Sequence, residues 1–144
     1  MAYNLIPANR VSSTGLTAEK TRMAIAANNI ANSQVTTPSG KGLYRRKQVV
    51  FETILRDQVG KDPASTLGGV KVKEITHSNR KPIEVYNPSH PHADPETGIL
   101  KKPQISPLEE MVDMMTATRA YEANLSMMKE SKKMAEKTIA LGGQ

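Results

Sequence analysis

The strongest hydrophobic pattern in this chain lies in its last third, where apolar or tolerated residues recur every three or four positions. They are Leu108, Met111, Met115, Thr118, Tyr121, Leu125, Met128, Lys132, Ala135 and Ile139. This period is that of an α-helix with one buried face. Ser106, Pro107 and Glu109 form a helix start, with a capping box and proline at the first helical position. The pattern predicts a helix from residue 107 to the C-terminus, roughly 50 Å long, that projects beyond its own domain.

A second, weaker pattern lies near the N-terminus. Leu16, Met23 and Ile30 are spaced by seven, with Ala26 and Ala27 between them, which predicts a helix over about residues 12 to 33. Its stripe is narrow and made of small residues, so it suits close approach by another helix. Because neither helix has enough apolar surface to be stable alone, we expect the two to pair, antiparallel or coiled.

The residues between these helices are rich in helix breakers. Eight of the nine prolines and six of the nine glycines fall between Pro38 and Pro107, which excludes a long helix there. We expect an extended segment over 43–51, a half-buried strand over 69–75 and a third strand over 83–86. The prolines that follow exclude both helix and sheet interior.

The predicted fold is therefore mainly α with a small β module, in which long N- and C-terminal helices pair as a coiled-coil-like stalk. The chain divides into an N-terminal helical segment (1–33), a loop-rich β module (34–106) and a long C-terminal helix (107–144). Together they form one subunit. No run of about 18 apolar residues is present, so we expect no transmembrane helix.

Three asparagines in the stretch ANNIANS are unexpected at the end of the first helix, because asparagine competes with the helix for backbone hydrogen bonds. We expect Asn32 to help end the helix. Asn28 and Asn29 are predicted to form hydrogen bonds to adjacent chains, which would fix a register that a smooth apolar stripe leaves free.

The net charge of +6 raises the possibility of a nucleic-acid partner. The basic run Arg45, Arg46 and Lys47 lies on an extended segment, which splits its charges between two faces, and Tyr44 is the only aromatic residue nearby for base stacking. A solvated or subunit-contacting strand is the favoured interpretation of this run. The alternative is a basic helical adaptor that binds nucleic acid or an acidic partner without polymerising.

Enzyme chemistry has one candidate in the sequence. His90, His92 and Asp94 have the spacing of an HxHxD metal motif, but Pro95 stands where such a site continues with histidine, and ligands from a larger fold would be needed. We interpret the stretch as a proline-rich surface turn. No phosphate loop or nucleophile motif is present and the chain has no cysteine, so we predict no catalytic residue, cofactor or metal.

Four stretches of this sequence resemble the bacterial flagellar rod and hook family: ANNIANS, YRRKQVVFE, YNPSHPHADPETGIL and ISPLEEMVDMMTATRAYEAN. The resemblance extends from about Leu16 to Leu141. It implies a structural subunit of the basal-body rod, in its proximal part, and not an enzyme. Such subunits are exported through the flagellar type III apparatus without signal cleavage and assemble into a hollow helical shaft that carries torque across the periplasm. The N-terminus of this chain likewise lacks a secretory signal pattern.

The implied partners are copies of the chain itself, other rod proteins and the export apparatus, with no nucleic acid, small-molecule substrate or membrane insertion. The apolar helix positions would then form a buried assembly stripe. Its predicted members are Leu16, Met23, Ile30, Met111, Met115, Tyr121, Leu125, Met128 and Ile139.

Overall fold

The computed structural model describes residues 7–38, 41–54 and 68–142. Two long helices lie at the ends of this part of the chain: α1, Pro7–Asn32, and α2, Pro107–Gly142. Four strands lie between them: β1 (Lys47–Ile54), β2 (Gly69–His77), β3 (Ile83–Tyr86) and β4 (Ile99–Lys102). None of the described helices is long and apolar enough to cross a lipid bilayer.

Both helices begin at a proline. Proline occupies the first position of each, where its missing N–H costs nothing. At α2 the hydroxyl of Ser106 accepts the backbone N–H of Glu109 at 3.4 Å, as the capping pattern predicts. The first helix starts about five residues earlier than its apolar spacing indicated. It ends at Asn32, where the Ser33 hydroxyl donates to the carbonyl of Ile30 at 2.7 Å.

The two helices pack against each other in antiparallel orientation. Asn29 contacts Glu110 near one end of the pair, and Gly15 faces Asn124 further along it. Small side chains line the interface: Ala18, Ala26 and Ala117 are 3%, 4% and 0% exposed. Since Pro7 falls opposite the region near residue 132 in this register, the last turns of α2 lie beyond the described start of α1.

The first hairpin packs on α1. Its strands β1 and β2 are antiparallel, and a bulge between Val50 and Phe51 shifts their register. The hairpin approaches the helix closely at Gly69, where a Cβ atom would lie 2.7 Å from the Thr14 hydroxyl. That hydroxyl also accepts the N–H of Val70 at 3.2 Å. The backbone of the hairpin is therefore in direct contact with a side chain of the helix.

A second hairpin is formed by β3 and β4, which make a separate two-stranded antiparallel sheet. The sequence predicted β3 but not β4, because the latter is only four residues long and lies between prolines. The loop between them is a series of turns, as its prolines required. It closes at Gly98, whose φ of 69° lies in the left-handed region that favours glycine.

The predicted architecture of two terminal helices around a β module is confirmed, but its proportions are corrected. About half of the described residues are helical and about a fifth are in strands, so the β part is more than a minor insertion. The reason is that short strands carry little periodic signal of their own and are stabilised by their pairing partners.

We expect Ala117→Leu to lower the free energy of unfolding by about 1–3 kcal/mol, because the larger side chain would force the helices apart. Ala117 lies seven residues from both Glu110 and Asn124, which contact α1, and has no exposed surface. The matched control is Ala123→Leu, on the exposed side of the same helix, which should change stability by less than about 0.5 kcal/mol. Urea denaturation followed by circular dichroism measures both. Equal effects would mean that the helices do not pack as described.

Candidate functional site

The interior of the molecule contains a polar cluster centred on Asn29, a residue that is only 1% exposed. Its amide nitrogen donates to the Lys47 carbonyl at 2.8 Å and to a Glu110 oxygen at 2.9 Å. Its amide oxygen accepts the Lys47 N–H and the Tyr44 hydroxyl, both at 2.9 Å. All four hydrogen-bonding positions of the amide are therefore occupied within the chain.

This arrangement corrects the expectation that Asn29 forms hydrogen bonds to adjacent chains. The side chain faces inward because its position on α1 lies beside both β1 and α2. Asn28 is exposed, and its amide donates to the Ala24 carbonyl at 3.3 Å. The Asn32 amide donates to the Asn28 carbonyl at 2.8 Å. Of the three asparagines, Asn29 is the one that joins separate elements of the fold.

Glu110 carries a buried charge in the same cluster. Its carboxylate accepts the Nε–H of Arg46, whose side chain is 12% exposed against 2% for that of Glu110. Arg46 also donates to Asp113 at 3.2 Å, and Asp113 in turn accepts from Arg22 of α1 at 3.2 Å. Removing one partner from such a buried pair costs about 3–5 kcal/mol, because it leaves the other charge without compensation.

The basic run is therefore not a uniform surface feature. The favoured interpretation, a solvated or subunit-contacting strand, is corrected for Arg46, which lies before β1 and faces the helices. Arg45 is exposed. The Lys47 ammonium lies 5.6 Å from the centre of the Tyr44 ring. The sequence could not place Arg46 because its carboxylate partners lie more than 60 residues away along the chain.

Burial raises the pKa of Tyr44 above its ordinary value of 10.0, and the negative charge of Glu110 raises it further. Both causes favour the neutral phenol, which is the form that can donate a hydrogen bond to Asn29. The hydrogen bond from Tyr44 to Asn29 therefore has a structural role. We call Asn29, Tyr44, Arg46, Glu110 and Asp113 the Asn29 cluster.

The HxHxD stretch lies on the turns between β3 and β4. His92 Nδ1 and the Thr36 hydroxyl are 2.9 Å apart, while His90 Nδ1 accepts the backbone N–H of His92 at 3.1 Å. Asp94 accepts the backbone N–H of Glu96. The contacts of His90 and Asp94 are local contacts of a turn, and that of His92 joins the turn to the segment after α1. No group of three or more potential metal ligands occurs within the described residues.

The residues of the predicted assembly stripe fall into two sets. Leu16, Met23, Ile30, Tyr121 and Met128 are half-buried within the single chain, and the Met23 sulfur accepts the Thr118 hydroxyl at 3.3 Å. The remaining four residues are exposed. They are Met111 (46%), Met115 (56%), Leu125 (36%) and Ile139 (66%).

Other large apolar residues of α2 are exposed near Met111. Leu108 and Val112 are 72% and 55% exposed and, with Met111 and Met115, follow the three- and four-residue spacing of one helix side. This side lies opposite the one on which Glu110 and Ala117 contact α1. We call Leu108, Met111, Val112 and Met115 the exposed α2 face. The sequence could not separate it from the α1-facing side, because methionines occur on both.

Comparison with known proteins gives two family matches. The model described as "Flagella basal body rod protein" matches residues 10–37, which contain most of α1. The model described as "Flagellar basal body rod FlgEFG protein C-terminal" matches residues 96–141, which contain β4 and nearly all of α2. The two matches thus cover the two helices that form the Asn29 cluster with the residues before β1.

Individual relatives match along almost the whole chain. The flagellar basal-body rod protein FlgC of Escherichia coli O157:H7 is 40% identical over 133 residues, covering 92% of this chain and 93% of that protein. FlgC of Bacillus subtilis is 37% identical, covering 92% and 94%. FlgC of Borreliella burgdorferi is also 37% identical, covering 91% and 93%.

The chain belongs to the flagellar basal-body rod protein family. Within that family it is a FlgC-like rod protein, since the similarity to FlgC extends through the β module as well as both helices. The resemblance noted in the sequence is thereby confirmed.

We expect Asn29→Ala to lower the free energy of unfolding by about 2–4 kcal/mol, because it leaves the Lys47 backbone and part of the Glu110 carboxylate buried without partners. Asn28→Ala provides the matched control on the adjacent, exposed residue. It should be neutral or slightly stabilising, since alanine is the better helix former. Urea midpoints of the two variants measure the difference. Similar destabilisation by both would contradict the assigned role of Asn29.

Because the pKa of Tyr44 is raised in the folded state, part of the free energy of unfolding is lost at alkaline pH. The contribution is fully present below pH 10.0, the ordinary value, and is lost as pH rises through the higher pKa of the folded state. At about pH 8, Tyr44→Phe should be less stable than the unmodified chain by about 1 kcal/mol, the value of one hydrogen bond. That difference should shrink at about pH 11. Urea midpoints at both pH values test this, and a difference independent of pH would contradict it.

Proposed function

We propose that this chain is a non-enzymatic subunit of the proximal rod, which assembles with copies of itself and with other rod proteins into a hollow helical shaft across the periplasm. The observation that carries the proposal is the exposed α2 face: four large apolar side chains without a partner in the described chain. Contiguous exposed apolar surface of this kind marks an interaction site. The names of the FlgC relatives place those proteins in the flagellar basal-body rod.

The packing of the helix pair supports the same conclusion. The helix pair buries alanines and polar groups, while its larger apolar side chains remain outside. A surface of this kind is expected of a subunit whose packing is completed by its neighbours.

The geometry suits an axial, torque-bearing role. Subunits that join by heterologous contacts whose rotation does not close form an open helix. Long helices packed side by side resist bending and twisting, because close-packed interiors deform little. In this proposal α1 and α2 act as a stalk aligned with the shaft. The exposed residues Met111, Met115, Leu125 and Ile139 then contact adjacent subunits.

In this proposal the chain reaches the rod through the flagellar type III export apparatus, as the family resemblance implies.

Nucleic acid is not included among the proposed partners, because Arg46, the central residue of the basic run, is bound by Glu110 and Asp113. That engagement removes the main support for the alternative of a basic adaptor that binds nucleic acid.

We expect Leu125→Asp to abolish motility when it replaces the chromosomal copy in the host strain, because the assembled rod would have to bury an unpaired carboxylate. Leu125→Met, which keeps an apolar side chain of similar volume at the same position, is the matched control and should remain motile. Immunoblots of cell fractions and purified basal bodies would show whether the variant is exported but not incorporated. A motile Leu125→Asp strain with normal incorporation would overturn the proposed role of the assembly stripe.

A further inference from the structure

A cavity of about 400 Å³ lies between segments that join the two hairpins to each other and to α2. Its walls come from residues 42–46 before β1, residues 78–82 between β2 and β3, and residues 103–104 after β4. None of these residues belongs to the exposed α2 face. The cavity is therefore a separate feature of the β module.

The lining of this cavity is cationic. Arg45, Arg80 and Lys81 contribute to it, and the described residues that line it include no carboxylate. Arg80 lies 3.5 Å from Glu109, with both side chains about half exposed, and such a pair neutralises little. Arg45 and Lys81 are exposed and form no ion pair with a described carboxylate. Their charges are available to a ligand.

Between these cations the cavity has apolar walls. Leu43 and Tyr44 are half-buried and Pro103 is buried, and all three line the same space. A bare inorganic anion would leave this apolar surface uncovered. A peptide segment with both carboxylate and apolar side chains would match the two kinds of surface.

The cavity is also attached firmly to the helices. Arg46 lines it, and its guanidinium is already bound by Glu110 and Asp113 of α2. The Arg46 carbonyl accepts the backbone N–H of Ser78 at 2.8 Å, which joins two walls of the cavity. The flanking cations therefore project from segments that are held in place.

We propose that this cavity binds a short segment of another protein in which acidic side chains flank an apolar one, with Arg45, Arg80 and Lys81 contacting the carboxylates. The net charge of +6 favours an acidic partner over a second copy of this chain. This surface acts in addition to the exposed α2 face and does not depend on it.

The test in solution uses the full chain and a fluorescently labelled peptide in which glutamate alternates with leucine. Binding should weaken by at least about tenfold in the double variant Arg45→Ala with Lys81→Ala. The control, Lys129→Ala with Lys133→Ala, removes two exposed charges from α2 and should alter binding by less than about twofold. Equal loss in both variants would show only non-specific attraction and overturn the proposal. So would displacement of the peptide by inorganic phosphate or by single-stranded DNA at matched ionic strength.

A second measurement in the host strain does not require the isolated chain. A photo-crosslinking amino acid at position 81 should capture, within assembled basal bodies, a peptide with aspartate or glutamate beside apolar residues, identified by mass spectrometry. Capture of a segment without acidic residues, or of a glycan, would overturn the proposal. The Leu125→Asp experiment is independent, so failure of this inference leaves the rod assignment intact and failure of the rod assignment leaves peptide binding testable.

Discussion

The buried contact between Asn29 of α1 and Glu110 of α2 is the interaction on which the arrangement of this molecule depends. A helix interface made of alanines is smooth, and helices packed through such residues could slide by a turn at little cost. The Asn29 amide meets the Glu110 carboxylate and the Lys47 backbone in only one register. Because Glu110 is also bound by Arg46, the same register fixes where β1 begins. One amide and one carboxylate thus coordinate both helices and the first hairpin.

Close packing through small residues has a consequence for the outside of the molecule. Ala18, Ala26 and Ala117 occupy the interior, so the larger apolar side chains of α2 have little place there. Many of them lie on the surface, which is unfavourable for an isolated chain and favourable for one whose neighbours cover them. The helix pair is thin for the same reason. In a helical assembly, thin subunits with apolar outer faces can pack side by side into a continuous wall.

Arg45 and Arg46 of the basic run have different roles in the folded molecule. Arg46 borders the cavity of the β module, but its charge is paired within the Asn29 cluster, whereas Arg45, its neighbour in sequence, lines the same cavity with its charge unpaired. This division follows from the extended backbone of the segment, since consecutive side chains of an extended chain point to opposite sides. Tyr44 and Arg46 hydrogen-bond to residues of the helices, and the charge of Arg45 is left for a ligand. The basic run therefore contributes one arginine to the interior and one to the surface.

Much of this protein could be predicted from its sequence. The start of α2 followed from Ser106 and Pro107, the loop after β3 from its prolines, and the family from motifs at both ends. These features depend on local backbone chemistry or on short patterns, which a linear sequence records directly. Strand β4 was missed because four residues without alternation become a strand only when β3 supplies hydrogen bonds.

The residues of the site could be identified only from the tertiary structure. Asn29 and Asn28 are the same residue type side by side, yet one is saturated inside the chain and the other is exposed. Nothing in the sequence distinguishes them, because the partners of Asn29 lie at residues 44, 47 and 110. The exposed and inward methionines of α2 likewise differ only in what packs against them. The helices, the turns and the family can be read from the sequence, because they rest on local interactions and short patterns. Which polar groups are buried and which apolar groups remain outside depends on contacts between residues far apart in the chain, and these exist only in the folded molecule.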